Sequence, residues 1–471
     1  MNLYDYFAAA CTKFSGRVAV NDNGITYSYL ELFKRVEEIA SVISMKAEKI
    51  GNICIFMNKS FDYVASIFAI YKCGCTFIPV EKGMPFTKID FILNDSDSVL
   101  VLSDSENNVE TTIKWINIKN CSPPFQRTEP HMSGKPLDIA YILYTSGTTG
   151  NPKGIEITHH AAYSFISWVQ KELNISPSDI FSSHAPFSFD LSVLDIYDSL
   201  LSGAQLVLMP RGISAFVKSV KKYIINNHIS IWYSVPSIII KLLEHDDGNT
   251  FKGLRLLIYA GESMPWKYIN KLNALYPELE IYNFYGPTET NVITYYKIEK
   301  SHLYTKEIPI GKTCPYAKAE VIKKDGTMAR IGEIGELCIK SKTLMHGYRH
   351  LPLQEDVFNT GDLVKLEDTD RYVFVGRKDN MVKVNGFRIE LEEIESALEN
   401  YPSIDKAIVT IIKEDGKNDF LSAYYTAEKN IDSKEIRLYL QTHLQLYKIP
   451  ERFEKIESIP LNSRGKKIRN I

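Results

Sequence analysis

The segment with the clearest chemical meaning runs from Tyr144 to Gly154 and reads YTSGTTGNPKG. Its glycines let the backbone turn tightly and approach a ligand closely. Backbone N–H groups in such a loop form a concave site for an anion. Ser146, Thr148 and Thr149 add hydroxyl groups, and Lys153 adds a positive charge. The spacing differs from that of a Walker A loop, so the segment predicts a phosphate-binding loop of another kind.

The elements around this loop indicate how it is held. Ile139 to Tyr144 is an apolar run, typical of a buried strand, that leads directly into the loop. Upstream, Tyr29 to Met45 has the apolar spacing of a helix, and Asn52 to Met57 reads as a short strand. Such alternation favours parallel sheets covered by helices. The same reading predicts a helix at Phe61–Ile70 and strands at Cys75–Val80, Gln205–Met209, Ile229–Tyr233, Leu254–Tyr259 and Glu280–Phe284.

The pattern changes after Gly376. Asn380 to Ile389 is predicted as two short strands bent at Gly386, and Glu390 to Asn400 as an amphipathic helix. We therefore expect a large domain over 1–376, a small α+β domain over 379–471 and a hinge at 376–379. The small domain should also contain strands at Ala407–Ile412 and Phe420–Tyr425, and a helix capped by Asp432 or Ser433 that runs to His443.

The loop resembles the phosphate loop of the adenylate-forming enzymes, which include acyl-CoA synthetases, luciferases and the amino-acid-activating domains of nonribosomal peptide synthesis. The resemblance extends over essentially the whole chain. It implies an α/β fold with a large N-terminal domain of helix-covered mixed and parallel sheets, a distorted barrel subdomain, and a small mobile C-terminal α+β domain. The supporting motifs are YNFYGPTE at Tyr282–Glu289, TGDL at Thr360–Leu363, GRKD at Gly376–Asp379, GFRIELEEIE at Gly386–Glu395 and PLNSRGKKIR at Pro460–Arg469.

The implied reaction is attack of a carboxylate on the α-phosphate of ATP, which yields an acyl-adenylate and pyrophosphate. Two anions must meet, so positioning and electrostatic stabilisation dominate. The resemblance places Thr288 at the α-phosphate, Glu289 on Mg²⁺, Tyr285 on adenine and Asp362 at the ribose hydroxyls. ATP and Mg²⁺ are thus the expected cofactors. Further implied nucleotide contacts come from Thr145, Ser146, Gly147, Thr148, Thr149, Gly150, Lys153, Gly261, Glu262, Asn283, Gly286 and Arg377.

The C-terminal motifs imply two further roles. Lys466 is similar to the catalytic lysine that bridges substrate carboxylate and phosphate; its choice over Lys467 rests on the register PLxxxGKxxR, and Ile468 stands where the family often has Asp. Asp379 is similar to the hinge between the adenylation and thioester-forming states. In the second state Gly386 would line the tunnel for a phosphopantetheine thiol.

The substrate pocket is predicted from the segment PFSFDLSVLDIYDSL, residues Pro186–Leu200. A buried carboxylate is costly unless paired, so Asp190 could receive a substrate ammonium, or it could cap the helix that starts near Leu191. The resemblance favours the ammonium, because amino-acid-activating members carry Asp here. It implies that the rest of the pocket is Leu191, Leu194, Tyr233, Ile258, Ala260, Phe284, Val292 and Ile293.

This pocket has no charged member besides Asp190, so the side chain of the substrate should be small and apolar. The residue set resembles that of stand-alone prolyl-carrier-protein ligases, although Phe284 and Ile293 depart from it, and L-proline is the expected amino acid. Alanine, including D-alanine, is the alternative. It is weakened because the similar D-alanine activators have Cys at the position of Ala260. An acyl-CoA synthetase and a non-catalytic scaffold are the remaining alternatives. No carrier segment is found, so the amino acid should leave on a separate carrier protein with a phosphopantetheine arm, which is the expected partner, or on a small thiol.

Composition excludes several other classes of protein. Lys+Arg 55 against Asp+Glu 57 gives a net charge of −2, without long runs of one sign, so neither a nucleic acid nor a membrane surface is an expected partner. The N-terminal residues do not form a signal peptide, and there is no run of about 18 apolar residues. Seven scattered cysteines are typical of reduced thiols in a cytoplasmic protein.

Overall fold

The computed structural model describes residues 2–47, 49–105, 111–120, 135, 137–145, 152–352, 356–378, 381–412, 419–460 and 469. The chain divides into two units. Unit 1 comprises Met1–Lys82, Asp95–Leu143 and Gly154–Gly376, and unit 2 comprises Gly83–Asn94, Tyr144–Lys153 and Arg377–Ile471. The predicted domain bounds and hinge remain predictions. Two short upstream segments are grouped with the C-terminal residues, which the sequence did not suggest.

The helices follow the predicted apolar spacing, and their first residues are often capped. Asn2 with Asp5, and Ser28 with Glu31, form reciprocal capping boxes that satisfy backbone N–H groups at the starts of two helices. The helices are α1 (Leu3–Lys13), α2 (Tyr29–Lys46), α3 (Phe61–Lys72), α4 (Phe86–Asp95), α5 (His159–Glu172), α6 (Leu191–Val193), α7 (Ser199–Ser202), α8 (Val217–Asn226), α9 (Pro236–Glu244), α10 (Trp266–Leu275), α11 (Leu391–Glu399) and α12 (Ser433–Gln441), with a π-helical turn at Leu194–Asp198 and 3₁₀ turns at Ile118–Asn120, Ile213–Ala215 and Leu446–Lys448.

The strands include every strand predicted above, with ends that differ by at most two residues. They are β1 (Val18–Asp22), β2 (Ile25–Ser28), β3 (Asn52–Phe56), β4 (Thr76–Pro79), β5 (Ser98–Ser103), β6 (Lys114–Asn117), β7 (Ile139–Thr145), β8 (Lys153–Thr158), β9 (Ile180–Ser183), β10 (Gln205–Leu208), β11 (Ile231–Ser234), β12 (Leu256–Ala260), β13 (Glu280–Tyr285), β14 (Thr294–Lys297), β15 (Lys312–Thr313), β16 (Ala317–Ile322), β17 (Ile334–Ser341), β18 (Gly347–Tyr348), β19 (Leu351–Pro352), β20 (Phe358–Asp368), β21 (Arg371–Arg377), β22 (Met381–Val384), β23 (Phe387–Glu390), β24 (Lys406–Ile412), β25 (Phe420–Thr426) and β26 (Arg452–Lys455).

Two large sheets form the framework of unit 1. One has nine strands in the order β15-β14-β13-β12-β11-β9-β10-β1-β2, and the other has eight in the order β19-β18-β8-β7-β4-β3-β5-β6. The run from β13 through β1 in the first sheet is parallel. Strand β12 is apolar and buried along its whole length, as expected for a strand covered on both faces. The mixed and parallel α/β fold predicted from the sequence is confirmed. Strands β16, β17, β20 and β21 form a separate four-stranded sheet.

Alternate side chains of the strands in unit 1 pack into different core clusters. Tyr233, Ile258 and Ala260 belong to the large cluster that also contains the π-helical turn, whereas the intervening Trp232 and Tyr259 belong to a second cluster. Successive side chains of a strand point to opposite faces. One face of the nine-stranded sheet therefore packs against the segment that follows Asp190.

Unit 2 contains the predicted α+β elements. Asn385 and Gly386, with φ of 51° and 83°, make the tight turn between β22 and β23, a backbone conformation that glycine adopts without strain. Strands β24, β25 and β26 form one sheet. Lys448 lies 2.7 Å from the buried carboxylate of Glu393, which also pairs with Lys88 in α4. This ion network ties the Gly83–Asn94 segment to the C-terminal elements of the same unit.

No helix in the described ranges is long and apolar enough to cross a bilayer. The six cysteines in those ranges are buried free thiols.

Candidate active site

The carboxyl ends of β11, β12 and β13 carry most of the predicted substrate pocket. Tyr233 is the register partner of Ile258, and Ala260 is the partner of Phe284. The Phe284 ring lies edge-on to Tyr233, with ring centroids 6.3 Å apart. Ligands of open parallel sheets bind beyond the carboxyl ends of the strands. The register thus places four predicted pocket residues in one continuous apolar surface at the edge where a ligand is expected.

The helical segment after Asp190 faces this surface. Leu194 and Val292 are buried in the same core cluster as the four strand residues, and Leu191 packs against its rim. Ile293 differs, because it is buried in a separate cluster with Tyr285. Seven of the eight apolar residues predicted for the pocket thus belong to or pack against one core cluster, and Ile293 belongs to another.

Asp190 precedes α6, as predicted, but its side chain makes no capping hydrogen bond. Instead, Thr288 Oγ1 donates a hydrogen bond of 2.7 Å to Asp190 Oδ2. Asp190 also lies close enough to act electrostatically on Tyr233, whose pKa is raised well above its usual value by burial and then by Asp190 and Asp195. The carboxylate thus lies between the pocket and the YGPTE motif.

Glu289 is buried, and its carboxylate is held from the side of the eight-stranded sheet. The hydroxyl group of Tyr348 donates to Glu289 Oε1 at 2.9 Å, and the Met345 N–H donates to the Glu289 carbonyl at 2.8 Å. No group of three or more His, Cys, Asp or Glu side chains in the described residues could hold a metal ion. A single buried carboxylate suits Mg²⁺, which is commonly bound by one or two carboxylates together with substrate phosphates.

Tyr285 and Asp362, predicted at the adenine and ribose, are in direct contact. The Tyr285 hydroxyl donates a hydrogen bond to Asp362 Oδ2. Both side chains are buried, and Tyr285 belongs to the cluster that includes Ile339 and Val364 of the four-stranded sheet. The roles predicted for these two residues, stacking on adenine and recognition of the ribose hydroxyls, remain predictions.

The remaining nucleotide residues of unit 1 have structural partners of their own. A Cβ atom at Gly286 would lie 1.7 Å from the Asn291 carbonyl oxygen, so only glycine fits this turn. Gly261 has φ +89°, and Glu262 Oε2 accepts a 3.0 Å hydrogen bond from the Ser237 N–H at the start of α9. The Asn283 amide donates to the Pro309 carbonyl at 2.8 Å. These contacts shape the site, and the predicted nucleotide roles of the four residues remain predictions.

Several predicted site residues lie in unit 2 or outside the residues that the structure describes. Thr145 ends β7, Lys153 begins β8 with an exposed side chain, Arg377 ends β21 and Gly386 lies in the β22–β23 turn. The predicted residues that lie outside the described ranges are Ser146, Gly147, Thr148, Thr149, Gly150, Asp379 and Lys466, together with Lys467.

One residue near the site was missed by the sequence reading. The Lys59 ammonium donates hydrogen bonds to the carbonyls of Ser183 and Ala185, each at 2.6 Å, and to that of His184 at 3.2 Å. Burial lowers the pKa of Lys59 to about 8, against the opposing effect of Asp195 and Glu81. Lys59 thus holds the end of β9, from which the chain runs to Asp190. Its position after β3 shows no distinctive spacing in the sequence.

The profile of the family described as AMP-binding enzyme matches residues 7–349. An L-proline–[L-prolyl-carrier protein] ligase of Pseudomonas fluorescens Pf-5 is 32% identical over 98% of this chain and 97% of its own. One of Streptomyces coelicolor is 32% identical over 95% and 91%. The solved structure of holo-PA1221, an NRPS protein containing adenylation and PCP domains, superposes with a TM-score of 0.87 at 23% identity over 99% of this chain and 83% of that one.

Proposed function

The chain belongs to the AMP-binding enzyme family, and on that premise we propose that it is an amino acid–carrier protein ligase. It activates a small apolar amino acid with ATP as an aminoacyl-adenylate. It then transfers the aminoacyl group to the phosphopantetheine thiol of a separate carrier protein. The reaction is proposed for the cytoplasm, and the free, buried thiols of the described cysteines suit a reducing compartment.

The observation that carries the proposal is the hydrogen bond between Thr288 and Asp190. Thr288 comes from the motif proposed to contact the α-phosphate, and Asp190 is proposed to bind the substrate ammonium. An α-amino acid held by its ammonium at Asp190 directs its carboxylate toward Thr288, because the two groups are attached to the same carbon. One contact therefore joins amino acid recognition to the site of phosphoryl chemistry.

In the first step, a carboxylate oxygen of the amino acid attacks the α-phosphorus, the α–β phosphoanhydride bond breaks, and pyrophosphate leaves. Thr288 orients the α-phosphate. Lys466 neutralises the negative charge of the substrate carboxylate and the α-phosphate as they approach. Glu289 would hold Mg²⁺, which would offset phosphate charge when bound. In the second step, the carrier thiol attacks the acyl carbon and AMP leaves. Tyr285 and Asp362 hold the adenosine through both steps.

L-proline is the proposed amino acid. The ligases of Pseudomonas fluorescens and Streptomyces coelicolor are named for L-proline, and the pocket surface around Ala260 and Phe284 is apolar. Alanine, including D-alanine, is the second candidate because it also fits a small pocket. A fatty acid is disfavoured, since it brings no cation to Asp190.

Amino-acid-dependent exchange of pyrophosphate into ATP tests the proposal. Exchange is expected with L-proline above alanine and D-alanine, and none with fatty acids. Exchange with fatty acids alone would mean an acyl-CoA synthetase, and no exchange with any acid would favour a non-catalytic scaffold. A second assay offers the adenylate either a phosphopantetheinylated carrier protein or free CoA. Thioester formation on the carrier protein alone is expected.

A further inference from the structure

Asp198 is a buried carboxyl group that needs a partner from outside the described residues. It ends the π-helical turn Leu194–Asp198 and has no exposed surface. Neither of its carboxyl oxygens has a hydrogen-bond partner among the described residues. Burial, and then the neighbouring Asp195, raise the pKa of Asp198 well above its usual range. The group is therefore an uncharged acid that carries one O–H donor and one acceptor, and leaving both unsatisfied is costly.

The position of Asp198 relates it to the proposed pocket. It follows the pocket residue Leu194 by four residues in the same continuous helical segment, and residues at that spacing lie on one side of a helix. Tyr316 experiences the electrostatic influence of both Asp198 and the pocket residue Tyr233. The hydroxyl of Tyr316 also donates to the carbonyl of Val292, another pocket residue, at 2.5 Å. Asp198 thus lies close enough to act electrostatically on Tyr316, which contacts the pocket residue Val292.

The other acid of the turn has a different environment. Asp195 is also buried, and one of its oxygens has no hydrogen-bond partner in the described ranges. Asp195 is influenced by the Lys59 ammonium, whereas Asp198 is influenced by Asp195. Burial raises the pKa of Asp195 well above its usual range, and the Lys59 ammonium partly offsets this, so Asp195 has a nearby protein cation that Asp198 lacks within the described part of the chain. Asp198 is the acid for which a ligand is the fitting partner, and π-helical turns are frequent at functional sites.

We propose that Asp198 is a specificity-determining residue that exchanges a hydrogen bond with a hydroxyl group at the far end of the amino acid. The inference rests on the proposed function and refines it. The preferred substrate is then an amino acid of about the size of proline that carries a hydroxyl on the carbon facing away from its α-carbon, such as a hydroxylated proline. An uncharged acid suits a neutral hydroxyl better than a second ammonium. The apolar walls and Asp190 retain the roles given above.

The test measures kcat/KM for amino-acid-dependent pyrophosphate exchange with matched pairs, each differing by one hydroxyl group. The pairs are 4-hydroxy-L-proline with L-proline, serine with alanine, and threonine with 2-aminobutyrate. We expect the wild-type chain to prefer the hydroxylated member of its best pair by at least about tenfold, because a site built around a hydroxyl rejects an analogue that lacks it. Asp198→Leu should abolish or reverse this preference, whereas the matched control Asp195→Asn should retain it.

A purely structural role for Asp198 predicts a different result. In that case Asp198→Leu would lower the thermal midpoint and leave the hydroxyl preference unchanged. We expect instead an unchanged or higher midpoint, since the variant removes an unsatisfied buried polar group. Exchange with L-proline or alanine in the wild-type chain without a hydroxyl preference overturns this inference alone. Absence of exchange with every amino acid overturns the proposed function and this inference with it.

Discussion

At the scale of single residues, the environment of a carboxylate decides its task. Asp190 precedes a helix and could have capped it, yet its side chain makes no capping bond and accepts one from Thr288. Glu289 accepts one from Tyr348. Asp362 accepts one from Tyr285. Each acid is oriented by a hydroxyl group from another part of unit 1. Such oriented carboxylates hold a cationic or hydroxyl-bearing ligand without first having to reorganise.

Asp190→Ala should impair use of the amino acid far more than use of ATP. Removing one partner of a desolvated, hydrogen-bonded charge pair typically costs about 2–5 kcal/mol, so the KM for the amino acid should rise by at least about 30-fold. The KM for ATP should change by less than about threefold. Steady-state exchange kinetics measure both. Asp190→Asn is the control for side-chain size. If Asp190→Ala uses the amino acid with wild-type kinetics, the assignment of Asp190 to the substrate ammonium is refuted.

Lys466→Ala should lower kcat for adenylation by about a thousandfold or more while ATP affinity falls little. The reason is that its proposed contacts strengthen in the transition state, and contacts of that kind act on the rate. Single-turnover adenylate formation, together with equilibrium ATP binding, separates the two effects. Lys467→Ala is the matched control and should behave as wild type. A severe defect in that variant instead would show that the motif register is shifted by one.

At the scale of elements, the segment between β9 and α6 positions Asp190. Parallel strands end at a common edge of the sheet, and the chain that leaves β9 must turn there before the helix begins. Lys59 meets three successive carbonyls at this point. Its ammonium also lies 5.0 Å from the centroid of the Phe187 ring. We therefore expect the lysine to act as a positioning residue for the segment.

Lys59→Met should raise the KM for the amino acid by about tenfold and leave the KM for ATP nearly unchanged. Methionine keeps most of the apolar volume but loses the donors, so about 1–3 kcal/mol of hydrogen bonding to charge is removed. The split between the two KM values is the readout, because general destabilisation would move both. Lys297→Met, at a half-exposed surface ion pair with Glu280, is the control. Equal changes in both KM values would contradict a positioning role.

At the scale of the whole molecule, the start of the chain is joined to α5 through a histidine. His159 is buried, and its Nδ1 accepts a 3.4 Å hydrogen bond from the Leu3 N–H at the start of α1. Burial, opposed by Asp138 and Asp5, lowers the pKa of His159 to about 4. Nδ1 can accept this hydrogen bond only when it carries no proton. This junction should therefore be sensitive to acid.

Between pH 6.5 and 4 the unfolded chain binds a proton at His159 that the folded chain does not, so stability must fall as the pH is lowered through this window. With 1.36 kcal/mol per pH unit, the loss is about 3 kcal/mol by pH 4. Urea unfolding of wild type and of His159→Gln at pH 7 and at pH 4 measures it. The wild type should lose about 3 kcal/mol more than the variant between these pH values. Equal losses of unfolding free energy in wild type and variant would contradict the lowered pKa of His159.

Local patterns predicted most elements because they depend on residues close together in the chain. The capping box at Ser28 and the apolar spacing after it define α2, and the apolar run from Leu254 to Tyr259 becomes the buried β12. The motif order identified the resemblance for the same reason, since each motif is a short contiguous segment. Ile293 is the exception within the pocket set. It directly follows the pocket residue Val292, yet it is buried beside Tyr285.

The sequence by itself determined the fold class, the motif residues and the apolar character of the pocket, because burial periodicity and motif spacing are properties of neighbouring residues. Only the tertiary structure decided which distant groups meet. Thr288 and Asp190 are 98 residues apart in the chain, and Lys59 reaches carbonyls more than 120 residues away. Sheet register and helix packing bring such pairs together. They depend on the sum of many weak contacts over the whole core, which no local pattern records.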